Sequence, residues 1–297
     1  MIKEKTFSYE IVNYPKDKGY SKTFYEVLNF LSELNENHEC LHFHWSRWEW
    51  MFARASFQEE ELVNNLMFYE NGKLKGLILF EDSPEYFFVL YHQDKDLKEA
   101  MIEYIVNNSL EKDLIVPSDD FIIKLLEKRG YEKTDWIDPI TRFSLEDFEI
   151  KSIPGYKIVS LAEDYRLDCI HHALWRGFNH GDEIDYSDEN LLSRKSMTSS
   201  PHFKKEYTFV AIKDNQYQSY AGIWYIPNTK TALIEPVATV PEHRKKGLAQ
   251  ACILNCINAA KKDGAKDIFV GANMKFYLDM GFTPYQEAYR FKKVNKE

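Results

Sequence analysis

Three consecutive cations, Arg244, Lys245 and Lys246, stand directly before Gly247 and an apolar, helix-patterned run, in a chain of formal net charge −9. Cations and a glycine at a helix start make an anion site. The first helical N–H groups have no carbonyl partner, the helix dipole adds positive potential, and a residue without a Cβ lets a phosphate reach the backbone. Leu248 and Ala249 follow, and Ala249 keeps the next turn nearly as open. The stretch predicts a diphosphate-binding turn. A solvated charged turn before an ordinary helix is the plainer alternative, but glycine spacing, helix start and strand context agree on the anion site.

The elements around it must hold that turn in place. "YTFVAIKD" and "YQSYAGIWYI" read as two strands joined at Asn215-Gln216, and "TALIEPVATV", Thr231 to Val240, as a third. Pro236 donates no ladder hydrogen bond, so a bulge or splayed edge is expected in that third strand. From Leu248 the apolar residues Cys252, Ile253, Cys256, Ile257 and Ala260 fall on one helical face, with lysines and Gly264 at its end. "DIFVG" reads as a short buried strand, "NMKFYLDMGF" as a short helix and "EAYRFKKV" as a closing strand.

Composition bounds the function. The 297 residues suffice for two domains, and 44% hydrophobic with 29% charged residues describe a globular chain. Its acidic balance argues against nucleic acid or an anionic membrane as partner. No segment approaches the ~18 uninterrupted apolar residues of a membrane span, and "MIKEKTFSYEIVNYP" lacks a signal-peptide core, so a cytoplasmic protein is expected. Four scattered cysteines, Cys40, Cys169, Cys252 and Cys256, read as reduced, buried thiols.

The Arg244-to-Ala249 segment lacks the spacing of a Walker or Rossmann phosphate loop. It resembles the [Q/R]xxGx[G/A] signature of the GNAT superfamily, the acyl-CoA-dependent N-acetyltransferases, with "IEPVATVPEH" similar to the family's fourth strand and "FYLDMGF" to its [FY]-Y-x-x-x-G-F ending. The resemblance spans Tyr156 to the end. It implies an α/β (α+β) fold with a mixed, mostly antiparallel central sheet flanked by helices, and acetyl transfer from acetyl-CoA, as co-substrate, to a primary amine of a small molecule or peptide, without a metal. The implied cofactor residues are Ala238, Thr239 and Val240 on the strand, Arg244, Lys245, Lys246, Gly247, Leu248 and Ala249 at the turn, and Asn273. Tyr277 matches the tyrosine that protonates the leaving thiolate, though a packed core aromatic is the alternative. Glu235 matches a general base of some members; it could equally pair with a lysine or face water.

The first half resembles the same fold more faintly, so the expectation is two tandem domains, 1–150 and 151–297, with "EDFEIKSIPGYKI" between them. "NLMFYENGKLKGLILF" is a hairpin turning at Asn71-Gly72, and strands and helices follow in the same order. Where the phosphate turn would be, "HQDKDLKEA" carries Asp94 and Asp96 and no glycine, and Leu126 stands in the place of Tyr277. That half is expected to be non-catalytic.

In "CLHFHWSRWEW", Cys40, His42 and His44 at alternate strand positions favour packing over a metal site, and Trp45, Trp48 and Trp50 burial over ligand stacking. Asp182, Glu183 and Asp185 either attract a cationic amine or form an exposed acidic loop. A non-catalytic acyl-CoA-binding regulatory protein is the competing functional reading, and a longer acyl or aminoacyl donor stays open. Acceptor identity and oligomeric state are not legible.

Overall fold

The computed structural model describes residues 8–54, 57–81, 85–108 and 112–294. Along the first half run β1 (Glu10–Asn13), α1 (Lys22–Glu36), α2 (Trp45–Ala53), β2 (Leu66–Glu70), β3 (Lys73–Phe80), β4 (Glu85–Leu90), α3 (Lys95–Asn107), β5 (Asp113–Pro117), α4 (Asp120–Lys128) and β6 (Tyr131–Phe143). The second half repeats the order: β7 (Lys157–Ser160), α5 (Leu167–Gly177), α6 (Asp188–Met197), β8 (Thr208–Lys213), β9 (Gln216–Tyr225), β10 (Thr231–Thr239), α7 (Leu248–Lys262), β11 (Asp267–Val270), α8 (Lys275–Asp279) and β12 (Phe282–Lys293).

Two compact units result, residues 8–51, 57–139 and 286–294 in one and 52–54 with 140–285 in the other. They do not follow the 1–150 and 151–297 division residue by residue. In the first unit β1 to β5 lie side by side, antiparallel except for the parallel β4–β5 pair, and residues 288–291 of β12 pair with β5. In the second, β7 to β11 repeat this with β10–β11 parallel, and residues 141–142 of β6 pair with β11. Each set of five strands is thus completed by a strand that the sequence order assigns to the other half.

Turn chemistry explains the hairpins. Asn71 and Gly72 both have positive φ, 51° and 74°, as a type I′ turn requires. The β8–β9 turn uses Asp214 and Asn215, at 51° and 58°, one residue earlier than the expected Asn215-Gln216 join. Short Asp and Asn side chains tolerate that left-handed region and glutamine does not, so Gln216 starts β9 instead.

The apolar face of α7 buries Leu248, Cys252, Ile253, Cys256, Ile257 and Ala260 against Ala221, Ile223, Tyr225, Ala232 and Ile234. Truncating one such side chain, for example Ile257→Ala, typically costs about 2–5 kcal/mol. Strand alternation turns Tyr220, Gly222 and Trp224 to the opposite face. The segment expected as a linker packs on the same core through Phe148, Ile150, Ile153 and Tyr156. All four cysteines are free and buried. Among the described residues no helix is long and apolar enough to cross a membrane.

Candidate functional site

Strand β10 opens where its proline breaks the ladder. It pairs in parallel with β11 only over Thr231–Leu233 opposite Asp267–Phe269, and its register with β9 shifts between Ile234 and Val237. Beyond that bulge, the Val240 N–H donates to Gln218 O at 2.9 Å on the β9 side, and the Val240 carbonyl accepts from His243 N at 2.9 Å. The Val240 N–H is thus engaged on the β9 side, and its carbonyl holds the 3₁₀ turn that follows. By alternation the N–H of Thr239 points to the other edge, which β11 has left. Ala238 is held through its carbonyl by Ser219 Oγ at 3.1 Å.

The turn after β10 is shaped for an anion. Lys245 and Gly247 both have positive φ, 59° and 83°, and no side chain caps the start of α7. Successive N–H groups in such a turn converge into a concavity, and the helix dipole reinforces it. A Cβ on Gly247 would lie 3.3 Å from Ile153 Cδ1, in a backbone conformation that other residues rarely adopt. The three cations differ in role. Arg244 is turned back: Nε donates to Thr239 O at 3.0 Å, and Nη2 to Gly177 O at 2.9 Å and Asn179 Oδ1 at 2.8 Å. Lys246 Nζ donates to Glu242 O at 2.7 Å, whereas Lys245 is exposed and makes no hydrogen bond to the described residues. Arg244 fastens the end of α5 to β10. Leu248 is 2% exposed and offers only its backbone; Ala249 is partly buried beside it.

Tyr277, on α8, is buried to 8% exposure, its ring against Phe276 and Phe282 at 5.0 and 5.6 Å between centroids. Burial first, and the Glu235 carboxylate second, push its phenol up to about 12. Glu235 and Tyr277 are thus brought within electrostatic reach of each other. Glu235 itself is exposed at the bulge rather than enclosed among its apolar neighbours. Asn273 is exposed in the loop between β11 and α8.

Gly177, which ends α5, carried no legible signal in the sequence. A Cβ there would stand 2.6 Å from Ala238 Cβ and 2.9 Å from Thr239 N, so only glycine lets α5 approach β10 so closely. The adjoining acidic loop is largely engaged: Asp182 pairs with Arg176 Nη1 at 2.7 Å, and Asp185 accepts from Ser187 N at 2.9 Å and Asn190 Nδ2 at 3.0 Å.

The first unit closes the equivalent features. Asp94 caps α3, accepting from Leu97 N at 3.0 Å, and also accepts from Tyr9 Oη at 3.1 Å. The β3–β4 register has no bulge. Residues 41–43 form a 3₁₀ turn rather than the expected strand, because Cys40 takes a left-handed conformation, φ 50°. That turn covers the free edge of β4: Cys40 Sγ donates to Leu90 O at 3.2 Å and accepts from Leu90 N at 3.5 Å, and His42 Nε2 bonds Phe88 O at 3.1 Å. His44 Nδ1 is engaged by Ser46 Oγ at 2.8 Å. Trp45 and Trp48 are fully buried and Leu126 packs in the core of its unit. Among the described residues no cluster of metal-ligating side chains occurs.

The model of the GNAT acetyltransferase family matches residues 167–282. No curated protein matches the chain. Solved structures resemble it along nearly its whole length. A tandem GNAT protein from the clavulanic acid biosynthesis pathway has 12% identity and TM-score 0.61, with 97% of this chain and 100% of that one covered. An N-acetyltransferase from Sphaerobacter thermophilus has 10% identity and TM-score 0.57 over 96% and 95%. A GNAT-family acetyltransferase from Colwellia psychrerythraea has 10% and 0.55 over 97% and 100%. At such identities the likeness is one of fold. The fold is therefore that of two tandem GNAT-like domains, and residues 167–282 form a domain of the GNAT acetyltransferase family.

Proposed function

We propose that the second unit catalyses acetyl transfer from acetyl-CoA to an amine, and that the first binds no cofactor. The observation that carries this reading is the pairing of an uncapped α7 N-terminus at left-handed Gly247 with the edge of β10 that β11 leaves beyond Leu233. The residues fit a long ligand with an anionic end: the turn from Lys245 to Ala249 would hold the diphosphate, and the free strand edge the amide-bearing arm. When bound, acetyl-CoA supplies an activated acyl carbon.

The chain's own groups then have defined tasks. The Thr239 N–H orients and polarises a carbonyl placed on the open edge. Glu235, exposed at the bulge, takes the proton of the attacking amine directly or through water. Tyr277 holds a proton for the departing thiolate, and its raised pKa keeps that proton in place at every physiological pH. The acyl carbon gains a C–N bond and loses its C–S bond, and the two protons balance.

Calorimetry with acetyl-CoA, followed by CoA release with a panel of amines, tests this. One site per chain and turnover with some amine are expected. Two equivalent sites would overturn the assignment of the first unit, and tight binding without turnover of any amine would favour a regulatory acyl-CoA-binding protein.

A further inference from the structure

On α6, Arg194 is a partly buried guanidinium to which no carboxylate is paired among the described residues. Its Nε donates to His171 Nδ1 at 3.4 Å, and His171 Nε2 lies 2.9 Å from the Asp185 carbonyl. A carbonyl only accepts, so Nε2 carries the ring proton and Nδ1 stays bare to receive Arg194. Burial and the guanidinium beside it hold His171 below the ordinary histidine range, which keeps this neutral tautomer. His171 thereby fixes the orientation of Arg194 while leaving both terminal nitrogens without a hydrogen bond to the described residues.

Two further donors stand in the same neighbourhood. Tyr220, 0% exposed, lies within electrostatic reach of Arg194, and its hydroxyl, close to that of Thr208, has no hydrogen-bond partner of normal geometry. Trp175 Nε1 is buried and unpartnered, its ring 5.4 Å from that of His171. Buried polar groups are almost always satisfied, so orphans beside an unpaired cation point to a missing acceptor. A guanidinium, a phenol and an indole N–H are all donors, and a planar anion with several lone pairs answers them. Of the acids in the adjoining loop, Asp182 pairs with Arg176, and Asp185 with Ser187 and Asn190, rather than with Arg194.

The position is informative as well. Tyr220, within electrostatic reach of Arg194, is the register partner of Ala238, the residue before Thr239 on β10. A small molecule anchored there by one end presents its other end to the open edge.

We propose that the acceptor is an amine that also carries a carboxylate, an amino acid or an amino-acid-like small molecule, with its carboxylate on Arg194 and its amine directed at β10. This rests on the acetyl-transfer reading given above and names the acceptor class for it.

The test pairs each amino acid with its amide or methyl ester in a CoA-release assay, with acetyl-CoA binding measured separately by calorimetry. At least one free acid should be used with kcat/KM about tenfold or more above its neutral counterpart. Arg194→Gln should raise KM for that acid by about tenfold or more, leave the neutral amine and acetyl-CoA affinity unchanged, and be partly rescued by Arg194→Lys. Equal use of acids and neutral forms, equal losses for both in Arg194→Gln, or acetyl-CoA binding with no acid accepted would each overturn the proposal. Absence of acetyl-CoA binding would overturn the acetyl-transfer reading and this one with it.

Discussion

Helices α3 and α7 each follow the strand that pairs in parallel with the next, β4 with β5 and β10 with β11, and they begin in opposite ways. Asp94 satisfies the first turn of α3 with a carboxylate, whereas α7 starts at an uncapped, left-handed Gly247. The strands diverge in the same sense. Pro236 bends β10 away from a regular ladder and leaves an edge open, while β4 stays regular and has its edge covered by Cys40 and His42. One backbone plan thus yields an uncapped helix start beside an unpaired stretch of strand in one unit and a self-satisfied surface in the other. What separates them is whether the protein's own side chains answer the backbone hydrogen bonds there.

That contrast can be broken at its strongest point. Gly247→Val forces a β-branched residue into a φ of 83°, with its Cβ 3.3 Å from Ile153, and is expected to weaken acetyl-CoA binding by about a hundredfold. Lys245→Ala removes one exposed, screened charge and should cost only a few-fold. Calorimetry on both variants, with circular dichroism to check folding, decides; equal small losses would mean that the turn does not meet the diphosphate.

The plug of the first unit should make it acid-sensitive. Burial, aided at His42 by Arg47, holds His42 and His44 down at about 3, well below their unfolded value near 6.5. The unfolded chain therefore binds more protons than the folded one between those values, and stability falls as pH drops from about 6.5. Between pH 6.5 and 5 each histidine should cost up to about 2 kcal/mol. Amide exchange in β4 at pH 7 and pH 5 measures this, and a His42→Gln variant that keeps the full pH dependence would sink the assignment to His42.

Tyr277→Phe keeps the ring in its core and removes the proton. A fall in kcat of at least about tenfold with unchanged acetyl-CoA affinity is expected. Because the phenol is pushed up to about 12, kcat of the wild type should not decline with tyrosine ionisation below about pH 10. Loss of affinity without loss of rate would make Tyr277 a packing residue.

The smallest change sharpens the comparison most. Asp94→Ala strips the cap from α3 and should cost about 1 kcal/mol of stability. It should nevertheless create no second acetyl-CoA site, since Cys40 and His42 still hold the backbone of β4. A stoichiometry of two in this variant would show that the cap alone had closed the first unit.

Much of this was legible along the chain because it is written in local chemistry. The hairpin at Asn71-Gly72, the apolar face of α7, the glycine after the cations and the break at Pro236 each act over a few residues, where periodicity, turn preference and the missing proline N–H dictate the outcome. Other features depend on groups far apart in sequence. That Arg244 turns back to Gly177, that Val240 is spent on Gln218, that Cys40 and His42 close β4, and that Arg194 is left facing unpaired donors were all decided by tertiary contacts. A side chain's type limits which bonds it can make, but only the packed fold determines which partners remain to be satisfied, and binding capacity resides in those that do.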